Sequence, residues 1–250
     1  IGSVGGTDGI TTSGDTGLNI SGTITQTEII TATGLAITSS DAVTLTGNND
    51  FDNLAASVSS GNMSITDSDG FTIDTVDGVT GIAVSSGDLI MNAGAAVDQN
   101  EAISANGVKL IGSGYTLNNT DNAFTTLAAS AGALSIVENS GFAIGTVDGT
   151  DGLTVTGNLT LNSAGTVTQS QSVIATGLEL LGTGTHTLTN AANDIDTLAA
   201  NTGNVSIRDT DTFVIGTVNT AGITTTGNVT TQTNGELTQT AALNIGGDLT

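Results

Sequence analysis

Ile73-Asp74-Thr75-Val76-Asp77-Gly78 returns as Ile144-Gly145-Thr146-Val147-Asp148-Gly149 and again as Ile215-Gly216-Thr217-Val218-Asn219, and Ile1-Gly2-Ser3-Val4-Gly5-Gly6 is a fourth copy. The starting positions Ile1, Ile73, Ile144 and Ile215 are almost evenly spaced. Three further anchors keep the same period. Leu54-Ala55-Ala56, Leu127-Ala128-Ala129 and Leu198-Ala199-Ala200 each follow an Asn-led group: Asn49-Asp50-Phe51, Asn122-Ala123-Phe124 and Asn193-Asp194-Ile195. Gln26, Gln99, Gln169 and Gln239 form one series, and Ser64-Ile65, Ser135-Ile136 and Ser206-Ile207 another. Four anchors on one period establish an internal repeat, and such a period is the mark of a stacked architecture. The expected division is a partial repeat over 1–9, repeats over about 10–81, 82–152 and 153–222, and a partial repeat over 223–250. The chain reads as a single continuous segment and as an excerpt of a longer array.

Within each copy the pattern has period 2. Leu153-Thr154-Val155-Thr156 alternates apolar residues with Thr, and Leu159-Thr160-Leu161, Val205-Ser206-Ile207 and Phe213-Val214-Ile215 read the same way. That is the pattern of short strands with one buried face. Gly, Asn, Asp and Ser punctuate them as turn residues. One copy divides into three parts of coil length, Gly81 to Ile103, Ser104 to Ala129 and Ser130 to Asp151. The expected fold is therefore all-β: a parallel β-helix, or β-solenoid, of ~71-residue repeats with about three coils per repeat. Some ten coils at about 4.8 Å each would stack to roughly 50 Å. A string of immunoglobulin-like domains fits poorly, because that unit is nearer ~100 residues and has a buried Trp.

Composition agrees. Thr (47), Gly (35), Asn (22) and Ser (21) make up half of the 250 residues, and there is no Pro, Trp or Cys. A narrow coil interior takes Val, Ile, Leu and Ala and has little room for large aromatics. Pro would break the ladder of hydrogen bonds. The formal charge is −22, with 2 Lys plus Arg against 24 Asp plus Glu. Two cations cannot neutralise a phosphate backbone or bind an anionic membrane surface, so nucleic acid is not an expected partner. No apolar run approaches the roughly 18 residues of a spanning helix, so no direct membrane insertion is expected. Without Cys there is no disulfide, thiolate metal site or Cys nucleophile.

These phrases carry a resemblance. Gly235-Glu236-Leu237-Thr238-Gln239-Thr240-Ala241-Ala242-Leu243-Asn244-Ile245-Gly246-Gly247, Ala192-Asn193-Asp194-Ile195-Asp196-Thr197-Leu198, and Ser206 through Val218 resemble the strand repeats of giant bacterial surface exoproteins of the filamentous-haemagglutinin type, secreted by two-partner systems. The resemblance spans essentially the whole chain and is specific to an architecture class. It implies a right-handed helix, export to the bacterial cell surface, and an adhesive or fibre-forming role without catalytic residues.

Several residues invite chemistry. Asp67-Ser68-Asp69-Gly70 and Asp209-Thr210-Asp211 have carboxylates at alternate positions, which can converge on calcium. Asp67, Asp69, Asp209 and Asp211 are the candidate calcium ligands, although the twelve-residue loop with its terminal Glu is absent. No cofactor is otherwise required. Asp50 with Asp52, and Asp194 with Asp196, are carboxylate pairs of the kind used in glycoside hydrolysis. The scarcity of aromatics and of Lys or Arg argues against that use. His186, the only His, reads as a turn residue in solvent, since Gly112-Ser113-Gly114-Tyr115-Thr116 in the preceding copy has none. Gly112-Ser113-Gly114 and Gly182-Thr183-Gly184 precede no helix and read as turns. Thr-x-Thr pairs such as Thr154 with Thr156 read as outward strand residues. Six Asn-x-Ser/Thr sequons begin at Asn19, Asn62, Asn118, Asn158, Asn204 and Asn228.

The expected function is non-catalytic: a rod or shaft segment of an extracellular adhesin or fibre. Flanking repeats, or like subunits end to end, would be its partners. A carbohydrate- or host-binding face on the same solenoid, with surface glycans or other cells as partners, and a surface-layer or filament subunit are the alternatives.

Overall fold

The computed structural model describes residues 1–250 and contains only strands, turns and loops. Its strands stack in parallel as a β-solenoid. Two compact units make up the chain, Ile1–Phe124 and Thr125–Thr250.

In the first unit, strands Ile30–Ser39 and Val43–Val58 lie side by side in register, Leu35 against Leu54 and Ile37 against Ala56. Leu54 then pairs with Ile73, and Ala56 with Ile82, so each coil repeats the inward row of the last. Leu89–Gln99 and Gly107–Leu117 continue the stack, Leu89 on Val108 and Met91 on Leu110. In the second unit the row runs Ile136, Leu161, Leu180, Ala200, Ile223, Leu243. All but the last are buried, since Leu243 lies in the final coil.

The alternation explains this arrangement. Leu153 and Val155 are buried while Thr154 and Thr156 are exposed, because successive side chains on a strand point to opposite faces. Branched Val, Ile and Thr suit the pleated surface. Each fully buried Leu or Ile stabilises the coil by about 1.5–3 kcal/mol. Phe51 and Phe71 meet at 5.2 Å between ring centroids, tilted by 51°. Tyr115 fits the interior because its hydroxyl donates to the Ile111 carbonyl (2.7 Å), with the Met91 carbonyl also within reach of the same proton (3.1 Å). Coils also approach too closely for a side chain at Gly112, where a Cβ would lie 1.9 Å from the Ala93 carbonyl oxygen.

Plain coils run from Ile37 to Ala56 and from Ile82 to Ile103. At about 20 residues they stand at the short end of solenoid units. One coil per repeat is longer, as from Ala56 to Ile82 and from Ala129 to Leu153. An inserted antiparallel hairpin makes the difference. It is the opening motif itself: Thr75 pairs with Thr80 and Val76 with Val79, and Thr146 pairs with Asp151 and Val147 with Thr150. Asp77 and Asp148 have φ of 48° and 45°, and Gly78 and Gly149 follow at 80° and 76°. Two consecutive residues at positive φ are what a two-residue type I′ hairpin demands, and Asp-Gly is among the best sequences for it.

The repeat and the coil are incommensurate. Three coils carry Ile136 to Ala200, which stops short of its copy-mate Ile207. In the first unit three coils carry Ile37 to Ile103, which stops short of its copy-mate Leu110 by the same interval. About three coils per repeat thus becomes three coils plus roughly a third of another. Within the second unit, the hairpins at Thr146–Asp151 and Thr217–Ala221 therefore leave the coil at different positions around it.

Candidate functional site: amide clasps, corner carboxylates and hairpin staples

Three kinds of construction recur along the coils. The first is an amide clasp. Asn49, Asn122 and Asn193 are buried at a corner. Asn193 Oδ1 accepts from the Val173 amide (2.8 Å) and Gln169 Nε2 (2.7 Å). Its two Nδ2 protons are shared among Gln169 Oε1 (3.0 Å) and the carbonyls of Leu188 (3.0 Å) and Arg208 (2.9 Å). Gln26 with Asn49, and Gln99 with Asn122, repeat the pairing. The Gln and Asn anchors of the sequence are the two halves of one device. In a low-dielectric interior such a network holds only if each group is satisfied.

The second is a corner carboxylate. Asp67, Glu138 and Asp209 are buried at equivalent turns. Asp67 Oδ2 accepts from the Phe51 amide (3.1 Å) and Oδ1 from the Asp69 amide (3.2 Å). Asp209 does the same with Ile195 (2.9 Å) and Asp211 (3.0 Å). Glu138 accepts from Ser140 and Gly141. Burial pushes the Asp67 carboxyl up to about 7, and the Asp69 side chain adds to the rise, against the downward pull of the two amides. Burial also raises Asp209. Of the candidate calcium ligands, Asp67 and Asp209 are thus directed at backbone amides, while Asp69 and Asp211 stand exposed. No group of three or more His, Cys, Asp or Glu side chains is placed to hold a metal ion.

The carboxylate pairs lie on the outer face. Asp50 and Asp52 flank buried Phe51 on one strand, and Asp194 and Asp196 flank buried Ile195. The latter pair borders a shallow open groove with Thr154, Thr156, Ile174 and Thr176. The two carboxylates point the same way along one strand. They do not face each other across a cleft.

His186 departs from the sequence reading. It lies in the strand Thr185–Leu188 and is fully buried, not in a solvated turn. A one-residue insertion hides the reason: counting back two from Leu188 and from Leu117 aligns His186 with Tyr115, so both occupy the same inward position. His186 Nδ1 lies 3.2 Å from Thr202 Oγ1, and Nε2 has no hydrogen-bond partner. Burial pushes its pKa down to about 4, against a weaker upward pull from the Leu161 backbone.

The third construction is the hairpin, which folds back over the outside of earlier coils as a staple. Val76 is 3% exposed and packs on the outward side chains of Ala36 and Ala55, with Val79 beside it. A Cβ at Gly34 would lie 2.7 Å from Val76 Cγ1. The middle Ala of Leu-Ala-Ala is thus small because a staple crosses it. In the second unit Val218 lies over Gly177, whose Cβ would come within 3.0 Å of Val218 Cγ1. There Glu179, 2% exposed, accepts from Asn219 Nδ2 (2.8 Å), the Thr220 amide (2.7 Å) and Thr160 Oγ1 (2.9 Å). Burial by itself would raise Glu179, but the bonds from Asn219, Thr160 and Thr220 more than offset it and hold its carboxyl below the ordinary value. The sequence reading missed the staple, although Asp-Gly between Thr-Val and Val-Thr was its signal.

The Asn corners of three sequons serve as rungs. Asn62 Oδ1 accepts from the Asp88 amide, Asn204 Oδ1 from Asn228, and Asn228 Oδ1 from Asp248, each at 2.9 Å.

Residues 131–201 match the model of a family described as repeats of unknown function (DUF5649), a stretch one repeat period long. No curated protein and no solved structure matches the chain.

Proposed function

We propose that this chain is a non-catalytic rod segment of an extracellular bacterial adhesin or fibre. The observation that carries the reading is the use made of its buried polar side chains. Asn49, Asn122, Asn193, Asp67, Asp209 and Glu179 all bond to groups of neighbouring coils or of the staple. Polar groups arranged in this way resist separation of the coils, which is what a shaft under tension requires. The net charge of −22 keeps such segments apart in solution.

Flanking repeats are the proposed partners, because the internal hairpins dock their Val side chains in grooves of small outward residues on earlier coils.

Immunogold labelling of intact cells with antibody raised against this chain tests the placement. The expected result is label on extended surface material. Label confined to the cell interior overturns it. Single-molecule pulling on the chain tests the shaft role, with stepwise rupture of coils expected.

A further inference from the structure

We infer that the residue at the tip of each staple selects the groove in which that staple docks, and that Asn219 is the selecting residue for the groove containing Glu179. Three observations carry this. Glu179 is almost wholly buried and accepts three hydrogen bonds, two of them from the staple residues Asn219 and Thr220. The position it occupies holds Ala36 and Lys109 in the other repeats, and the corresponding tips are Asp77, Asp148 and Asn219. Within the first unit the acidic tip Asp77 goes with neutral Ala36, and within the second the amide tip Asn219 goes with acidic Glu179. In the first unit the Asp77 carboxylate lies over Gly17, where a Cβ would come within 3.0 Å of Oδ2, and Asp15, the acid beside Gly34 in that groove, stands exposed to solvent, unlike the buried Glu179.

The physical need is clear. Thr-rich, Gly-rich strands with near-identical rows specify register weakly, and a slip by a coil or a repeat leaves most inward contacts intact. A staple that docks in one groove and is repelled from another supplies the missing discrimination. An acidic tip over Glu179 would place two carboxylates together in a site with little water, where they cannot both stay ionised without penalty. Such repulsive elements are how specificity is built when attractive contacts are alike.

Hydrogen exchange of the Val218, Thr220 and Gly222 amides tests the idea in the full chain, with the Thr146–Asp151 hairpin as internal control. In Asn219→Asp, exchange at those three amides should quicken by about tenfold or more, the scale of losing a hydrogen bond to a buried charge. The swap Asn219→Asp with Glu179→Gln restores an amide–carboxylate pair in reverse and should return exchange to within about threefold of the parent, near the non-additivity of a coupled pair. Should Asn219→Asp fail to fold, the swap variant must fold with a protected staple. Unchanged exchange in Asn219→Asp overturns the proposal. So does a swap variant that stays as loose as the single one, since a merely structural loop would not be rescued by altering Glu179.

Discussion

The side-chain amides of Gln169 and Asn193 face each other head to tail: Nε2 of Gln169 donates to Oδ1 of Asn193 at 2.7 Å, and Nδ2 of Asn193 donates to Oε1 of Gln169 at 3.0 Å. The two residues are distant in sequence, and their pairing joins adjacent coils. Replacing Asn193 by Ala strands the Val173 amide and loosens the Leu188 and Arg208 carbonyls. At about 1–3 kcal/mol for each buried group left unsatisfied, the variant should lose roughly 3–5 kcal/mol. Urea unfolding followed by circular dichroism measures it. A loss below about 1 kcal/mol would mean that water substitutes for the clasp.

Gly34→Ala probes the staple from below. The new Cβ would sit 2.6 Å from Asp15 Oδ1 and 2.7 Å from Val76 Cγ1, so the exposed Asp15 side chain must swing away and the hairpin must shift. The expected cost is about 1–3 kcal/mol, the range for overpacking a tight site. Val76→Ala should relieve the clash and recover part of that loss in the double variant, while costing on its own about 1–2 kcal/mol through lost burial. Melting curves of the three variants decide whether the two positions are coupled.

Asp67 and His186 predict opposite responses to mild acid. The Asp67 pKa is raised to about 7 in the fold from 3.8, so between those values the folded state holds the proton and the unfolded state does not. Its contribution is fully present below pH 3.8 and is lost as pH rises through about 7. His186 is lowered to about 4 from 6.5, so its contribution is present above 6.5 and is lost as pH falls through about 4. Between about pH 7 and about pH 5, amides near Asp67 should gain protection from exchange, and those near His186 should lose it. Asp67→Asn should abolish the first trend alone, and His186→Tyr, which installs the residue found at 115, the second. Uniform change across the chain would refute the assignment.

Chelation tests the calcium reading. Because Asp67 and Asp209 already take up backbone amides, removing divalent ions should leave the melting temperature unchanged. A drop of several degrees, reversed by calcium and absent in Asp69→Asn with Asp211→Asn, would assign calcium to these turns.

The alternation at Leu153-Thr154-Val155-Thr156 displayed both the strands and their inward face, and the long repeat period announced stacking. The anchors Gln169 and Asn193 were visible as regular intervals within the chain, but their meeting was not. Side chains so far apart in sequence come together only when the coil closes at its own length. His186 shows the same limit: a one-residue insertion before Leu188 moves it from the turn into the core, and periodicity over so short a stretch cannot register the shift.

The sequence by itself determined that the chain is all-β, repeated and without a thick aromatic core, because period-2 patterning and composition act locally and residue by residue. Only the tertiary structure decided the length of a coil, and with it the remainder that sets successive hairpins at different positions around the coil. It also decided that Val76 lies over Ala36 and Ala55, and Asn219 against Glu179. Those contacts depend on which coil lies beneath which, and that is fixed by backbone hydrogen bonds between coils and by close packing at their corners, neither of which any single stretch of the chain contains.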